Sequence, residues 1–176
     1  GHSLEKNKSV RYLYEGKHKK KIKNLILLTT KNKNAWIQKK SQDKWKEYLK
    51  VAEQKIADGK GEEVVPLPEY EDYPVTYNTF VSWYNQSGLS CVWDFYRKDY
   101  NFPILSQINV PILAVLGSED DFMSFPEFDV SPQSALVKIK ELVKNSETVL
   151  LEGTGHVYLG FEDQLAEVVT TFASRY

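Results

Sequence analysis

Two short polar turns hold the residues of this 176-residue chain whose types and spacing could do chemistry together. Gly117-Ser118-Glu119-Asp120-Asp121 follows an apolar run at 110–116, and Gly153-Thr154-Gly155-His156 follows another at 148–151. A carboxylate that accepts the imidazole Nδ1–H fixes the tautomer of a histidine and leaves Nε2 free to take a proton from a nucleophile. Asp120 and Asp121 both offer such a carboxylate, and a plain turn role is the duller account of either. His156 is the better placed histidine, since neither His2 nor His18 follows an apolar run. These two turns contain an acid and a base and leave the nucleophile to be found elsewhere.

For the turns to meet, the runs before them must be neighbouring parallel strands, because reactive groups in such sheets gather beyond the carboxyl ends of the strands. The pattern supports this. Residues 24–29 (Asn-Leu-Ile-Leu-Leu-Thr) and 110–116 are continuous apolar runs without alternation, as expected of strands covered on both faces and central in a larger sheet. Pro111 stands at the entrance of the second, where a missing N–H is tolerated. Helices are predicted over 5–14, stopped by Gly16; over 44–58, with Trp45, Leu49, Ala52 and Ile56 on one face and Gly59 beyond; from Ser131-Pro132 to Asn145; and over 162–174, with Leu165, Val168, Val169 and Phe172 on one face. Residues 60–75, with Gly61 and three prolines, read as a loop, and short helices are expected near 76–85 and 90–98. Strand, insertion, strand, helix, strand, helix is an α/β alternation with right-handed crossovers.

Composition narrows the class. Hydrophobic residues at 41% and charged residues at 27%, with no apolar run long enough to cross a bilayer, describe one soluble globular domain and exclude a membrane span. No export signal is visible at the N-terminus, and the single Cys91 fits a reducing, cytoplasmic compartment. One cysteine and three histidines offer no zinc-binding spacing, so no metal is expected. The net charge of −1 hides 17 Lys/Arg against 6 Asp/Glu in residues 1–60 and the reverse imbalance after them. The lysine run at 17–23 is read as a solvated connection and not as a nucleic-acid site, because no aromatic residue interleaves it to stack on bases.

Gly1-His2-Ser3-Leu4-Glu5 runs straight into the first helix, and acid and histidine then follow in the order Ser, Asp, His. In this the chain resembles the C-terminal portion of the α/β-hydrolase superfamily, whose nucleophile elbow is Gly-X-Ser-X-Gly and whose triad comes in that order. The resemblance implies Ser3 as nucleophile, Asp120 as acid and His156 as base. It also implies a core of 1–30 and 107–176, a cap insertion of 31–106, and part of a mainly parallel sheet flanked by helices. Two departures accompany it: Glu5 occupies the last elbow position, which the family keeps small, and the family's earlier strands and one oxyanion-hole loop would lie upstream of Gly1.

The activity implied is that of a serine hydrolase acting on carboxylic esters, without a cofactor. Ser3 would attack a carbonyl, His156 would relay its proton, Asp120 would orient the imidazole, and the Leu4 N–H would help hold the oxyanion. Residues 70–102 hold 11 of the chain's 23 aromatic side chains. These pack the insertion, and Tyr77, Phe80, Trp83 and Trp93 are the candidates to line an apolar substrate pocket. The alternative is a non-catalytic remnant of the same fold that acts as a binding module. For either, the first strand would be an uncovered sheet edge that invites pairing with a second copy.

Overall fold

The computed structural model describes residues 5–41, 44–66, 74–85, 89–98 and 101–176. In chain order its elements are α1 (Glu5–Glu15), β1 (Leu25–Leu28), α2 (Lys33–Ser41), α3 (Trp45–Ala57), α4 (Tyr77–Tyr84), β2 (Ile112–Gly117), α5 (Pro132–Leu142), β3 (Ser146–Leu151) and α6 (Glu162–Ala173), with short 3-10 turns between them. They fall into two compact units, one of Gly1–Lys31 and Phe95–Tyr176 and one of Asn32–Asp94. No helix among the described residues is long and apolar enough to cross a membrane.

The first unit is built on a parallel sheet in the order β1-β2-β3. Leu25 pairs with Ile112 and Leu28 with Val115, while β2 runs beside β3 from Ile112 opposite Ser146 to Gly117 opposite Leu151. β2 is central and every residue of it is buried, which is why its sequence is apolar without alternation. Pro111 lies just before it and accepts the Leu25 N–H through its carbonyl, a contact that costs no missing donor. β1 reads identically in sequence but is the edge of the described sheet, with Leu27 buried and Leu25, Ile26 and Leu28 only half-buried. β3 starts two residues earlier than its apolar run, because Ser146 and Glu147 join the ladder.

On one face of this sheet Leu113, Val115 and Leu151 meet Leu165, Val168, Val169 and Phe172 of α6. The stripe at i, i+3, i+4 and i+7 predicted for this helix is the one it packs on the sheet, with Phe172 buried and Leu165, Val168 and Val169 half-buried. Fully covering a Val, Leu or Phe side chain stabilises by about 1.5–3 kcal/mol, and partial cover by less. Ile112, Ala114 and Leu116 alternate to the other face, and α5 contacts both β2 and β3 through a side that buries Ala135, Leu136 and Ile139. Phe95 packs on Phe102 at 5.4 Å and Tyr96 on Phe128 at 5.5 Å. These contacts tie Phe95 and Tyr96 to the sheet unit, whose second segment begins at Phe95.

The second unit has its own core of Ile37, Trp45, Ala52, Val65, Val75, Tyr77, Phe80 and Tyr84. The predicted α3 stripe supplies Trp45 and Ala52, with Leu49 and Ile56 packed at its margin. α4 starts where Thr76 caps the Thr79 N–H, and its Phe80 and Tyr84 rings stand 4.9 Å apart. α2 was not expected from periodicity, since Ala35, Trp36 and Ile37 are adjacent and form no stripe. Its signal is Asn32, whose side-chain oxygen accepts the Ala35 N–H at 3.1 Å as an N-cap does. Residues 89–93 form a 3-10 turn in place of a helix over 90–98. Near the two ends of this unit, buried Asn34 donates through Nδ2 to both oxygens of buried Asp94, at 2.8 and 3.0 Å. Lys33, also buried, lies with Nζ 3.6 Å from the Trp83 ring centroid, a cation–π contact.

α5 opens with a reciprocal cap: the Ser131 hydroxyl accepts the Ser134 N–H at 3.1 Å, and the Ser134 hydroxyl accepts the Ser131 N–H at 2.8 Å. Replacing such a cap by Ala costs about 1 kcal/mol. Ser131→Ala is therefore expected to lower the melting temperature by roughly 2–4 °C in differential scanning calorimetry, without loss of the folded circular dichroism spectrum.

Candidate active site

The pairing of β2 with β3 sets the Asp120 and His156 turns side by side at the carboxyl end of the sheet. Ladder hydrogen bonds continue past the strand ends: the Ser118 N–H donates to Leu151 O at 3.0 Å, and the Glu119 N–H donates to Thr154 O at 3.0 Å. The Ser118 hydroxyl oxygen accepts the Gly153 N–H at 2.9 Å. Gly117 makes this possible, since a Cβ there would stand 2.1 Å from Thr154 O and 2.7 Å from Gly155 O. No real side chain tolerates that approach.

Asp120 is completely buried and held by its own turn. Its N–H donates to Gly117 O at 3.2 Å, and its Oδ1 accepts the Phe122 N–H at 3.0 Å, which caps the short turn Asp121–Met123. His156 Nδ1 lies 3.0 Å from both Oδ1 and Oδ2 of Asp120. An ionised carboxylate only accepts, so the imidazole nitrogen is the donor and the neutral ring carries its proton on Nδ1. Nε2 is then the basic nitrogen. The ring is 11% exposed and is met edge-on by Phe122, centroids 4.6 Å apart, whose own face carries Lys31 Nζ at 4.3 Å. A carboxylate and an imidazole paired out of water interact more strongly than the same pair on a surface.

The structure brings Asp120 and not Asp121 to His156; Asp121 is exposed in the following turn. Ser3 and Leu4, expected as nucleophile and oxyanion donor, lie outside the described residues, as do Tyr70, Tyr73 and Tyr100 of the aromatic stretch. α1 begins at Glu5, two residues after Ser3. Tyr77 and Phe80 belong to the core of the second unit, Trp83 packs against that core, and Trp93 is fully buried. Sequence reasoning did not single out Gly117, Ser118 and Thr154 as the contacts that join the two turns, or Phe122 as the ring against His156. A glycine at the end of a buried strand, followed by a small hydroxyl residue, was the available signal for the first two.

The close approach at Gly117 makes a sharp expectation. Gly117→Ala forces the two turns apart, so it should destabilise by about 1–3 kcal/mol in urea unfolding. It should also uncouple His156 from Asp120, read by loss of the Nδ1–H tautomer in histidine 15N spectra.

No protein-family model matches the chain, and no curated protein matches it. Solved structures do. MenH from S. aureus is similar over 99% of this chain and 66% of its own, at 20% identity and a TM-score of 0.54. An N-acyl homoserine lactone degrading enzyme is similar over 98% of this chain and 65% of its own, at 14% identity and a TM-score of 0.54. A thermophilic esterase from Thermogutta terrifontis is similar over 99% of this chain and 63% of its own, at 13% identity and a TM-score of 0.54. The chain thus spans just under two thirds of the length of the structures it matches. With its parallel sheet, its flanking helices and the acid and histidine turns at the sheet's carboxyl end, this chain has the fold of the C-terminal part of an α/β-hydrolase.

Proposed function

We propose that the chain carries the acid and base of a serine hydrolase that cleaves carboxylic esters. The observation that supports this most is the buried Asp120 bonded to His156 Nδ1 at the carboxyl end of a parallel sheet. That arrangement prepares Nε2 to accept a proton and nothing else in a purely structural loop requires it. Esterase and lactone-degrading proteins of the same fold add support for a carbonyl substrate.

In this reading Ser3 is the nucleophile, and its hydroxyl proton passes to His156 Nε2 as the oxygen attacks the ester carbonyl. The proton then goes to the leaving alcohol, and a water molecule activated by the same nitrogen releases the acid. Asp120 keeps the imidazole in the required tautomer and stabilises the imidazolium. The Leu4 N–H is assigned to the developing oxyanion. Asn32–Asp94 is assigned the part of the cap insertion. Tyr77 and Phe80 give their surfaces to its core and Trp93 is fully buried, so Trp83 is the residue to vary when acyl-chain preference is measured.

Intact-mass detection of fluorophosphonate labelling tests the assignment. Labelling of the folded chain should be absent in Ser3→Ala. It should be slower by about 10²–10⁴-fold in His156→Gln and Asp120→Asn, the range typical of a lost general base or a wrong tautomer. A folded chain that takes no label would favour the non-catalytic remnant, for which Glu5 in place of a small elbow residue is the supporting observation.

A further inference from the structure

Two residues beyond His156 the chain turns a tyrosine inward. Val157 and Leu159 are 69% and 81% exposed, while Tyr158 between them is 3% exposed and adopts a left-handed backbone with φ of +56°. Its hydroxyl donates to Val115 O at 2.6 Å and accepts the Thr29 N–H at 2.9 Å. Val115 is the register partner of Leu28, so the phenol spans the carboxyl ends of β1 and β2 at once. Thr29, the other partner, is also left-handed, with φ of +56°, and wholly buried. Two non-glycine residues in a disfavoured conformation thus meet at one hydroxyl, which marks a spot the surrounding structure holds firmly.

The bonds already described anchor the His156 turn on its leading side, through Gly153 and Thr154. On its trailing side, among the described residues, the Gly160 N–H turns to Glu162 Oε1 and the Phe161 N–H to Tyr158 O. Among the described residues, the Tyr158 hydroxyl is what joins residues 157–160 to the sheet by hydrogen bonds. We propose that Tyr158 is a positioning residue for His156, clamping the trailing side of its turn to the ends of β1 and β2 so that the imidazole keeps its bond to Asp120. This deepens the reading of His156 as general base and rests on it.

The phenol suits that task because it stays a donor. Burial pushes its pKa far above the ordinary value; the Thr29 N–H opposes this in part, and the negative charge of Asp120 reinforces it. The hydroxyl therefore keeps its proton throughout the range in which an imidazole titrates.

Tyr158→Phe removes the hydroxyl and leaves the ring, so the chain should fold. Phe172→Leu, in the same apolar cluster but without a hydrogen bond to the sheet ends, serves as the control for general loosening. Long-range 1H–15N spectra of histidine-labelled protein report the tautomer of His156 directly, and fluorophosphonate labelling reports its action. The expected result is that wild type and Phe172→Leu hold His156 as the Nδ1–H tautomer. Tyr158→Phe should shift it toward Nε2–H and label about 10- to 100-fold more slowly. A Tyr158→Phe protein with unchanged tautomer and labelling rate overturns the proposal, and so does an equal shift in Phe172→Leu. Because the tautomer needs no nucleophile, a wild type that is never labelled while the tautomer shifts as expected would sink the hydrolase reading and leave the clamp standing.

Discussion

Where β2 ends, two main chains approach more closely than any side chain would allow, and most of the site follows from that. Gly117 has no Cβ, so the carbonyl of Thr154 can stand beside it, and the ladder of β2 and β3 runs on through Ser118 and Glu119 into two turns that share hydrogen bonds. Asp120 comes three residues after Gly117 and His156 two residues after Thr154. Their separation is thereby set by backbone contacts before either side chain is considered. Parallel pairing supplies the direction, since both strands must point the same way for both turns to lie at one end. α5 returns the chain between them on one face of the sheet, and α6 closes the other.

Within this frame the carboxylate and the imidazole have unequal freedom. Asp120 has no exposure, and one oxygen is already occupied by the Phe122 N–H that closes its own turn. His156 keeps an edge toward the surroundings and touches Phe122, whose ring is carried by the same turn that holds the carboxylate. The carboxylate is thus built in as part of the backbone's hydrogen bonding, while the imidazole is tied to its turn through its bond to that carboxylate and its contact with Phe122.

Much of the architecture was legible because period and punctuation agree with burial. The α6 and α3 stripes, the Ser131-Pro132 start and the wholly apolar β2 each have one physical explanation, and the structure uses it. β1 shows where that logic stops: Leu-Ile-Leu-Leu states that a strand wants cover on both faces and says nothing of what provides it. α2 escaped because its evidence is a single cap, Asn32, and not a repeating pattern. At the site, Asp120 and His156 were legible as residues that follow strands. The choice between Asp120 and Asp121 needed the turn geometry, which caps with the first and exposes the second. Tyr158 was invisible as anything but an aromatic residue, since its hydroxyl bonds to backbone atoms 43 and 129 residues away in sequence.

The bond between Asn34 and Asp94 joins positions 60 residues apart. The entropy of closing a long excursion grows only slowly with its length, by about 0.6 kcal/mol for each doubling. Here the closing contact lies inside the excursion, near its two ends, so the strands on either side do not have to hold it shut. A unit stitched at its own neck carries its closure within itself, so the register of β1 against β2 is set by the ladder between those strands and not by the length of chain that separates them.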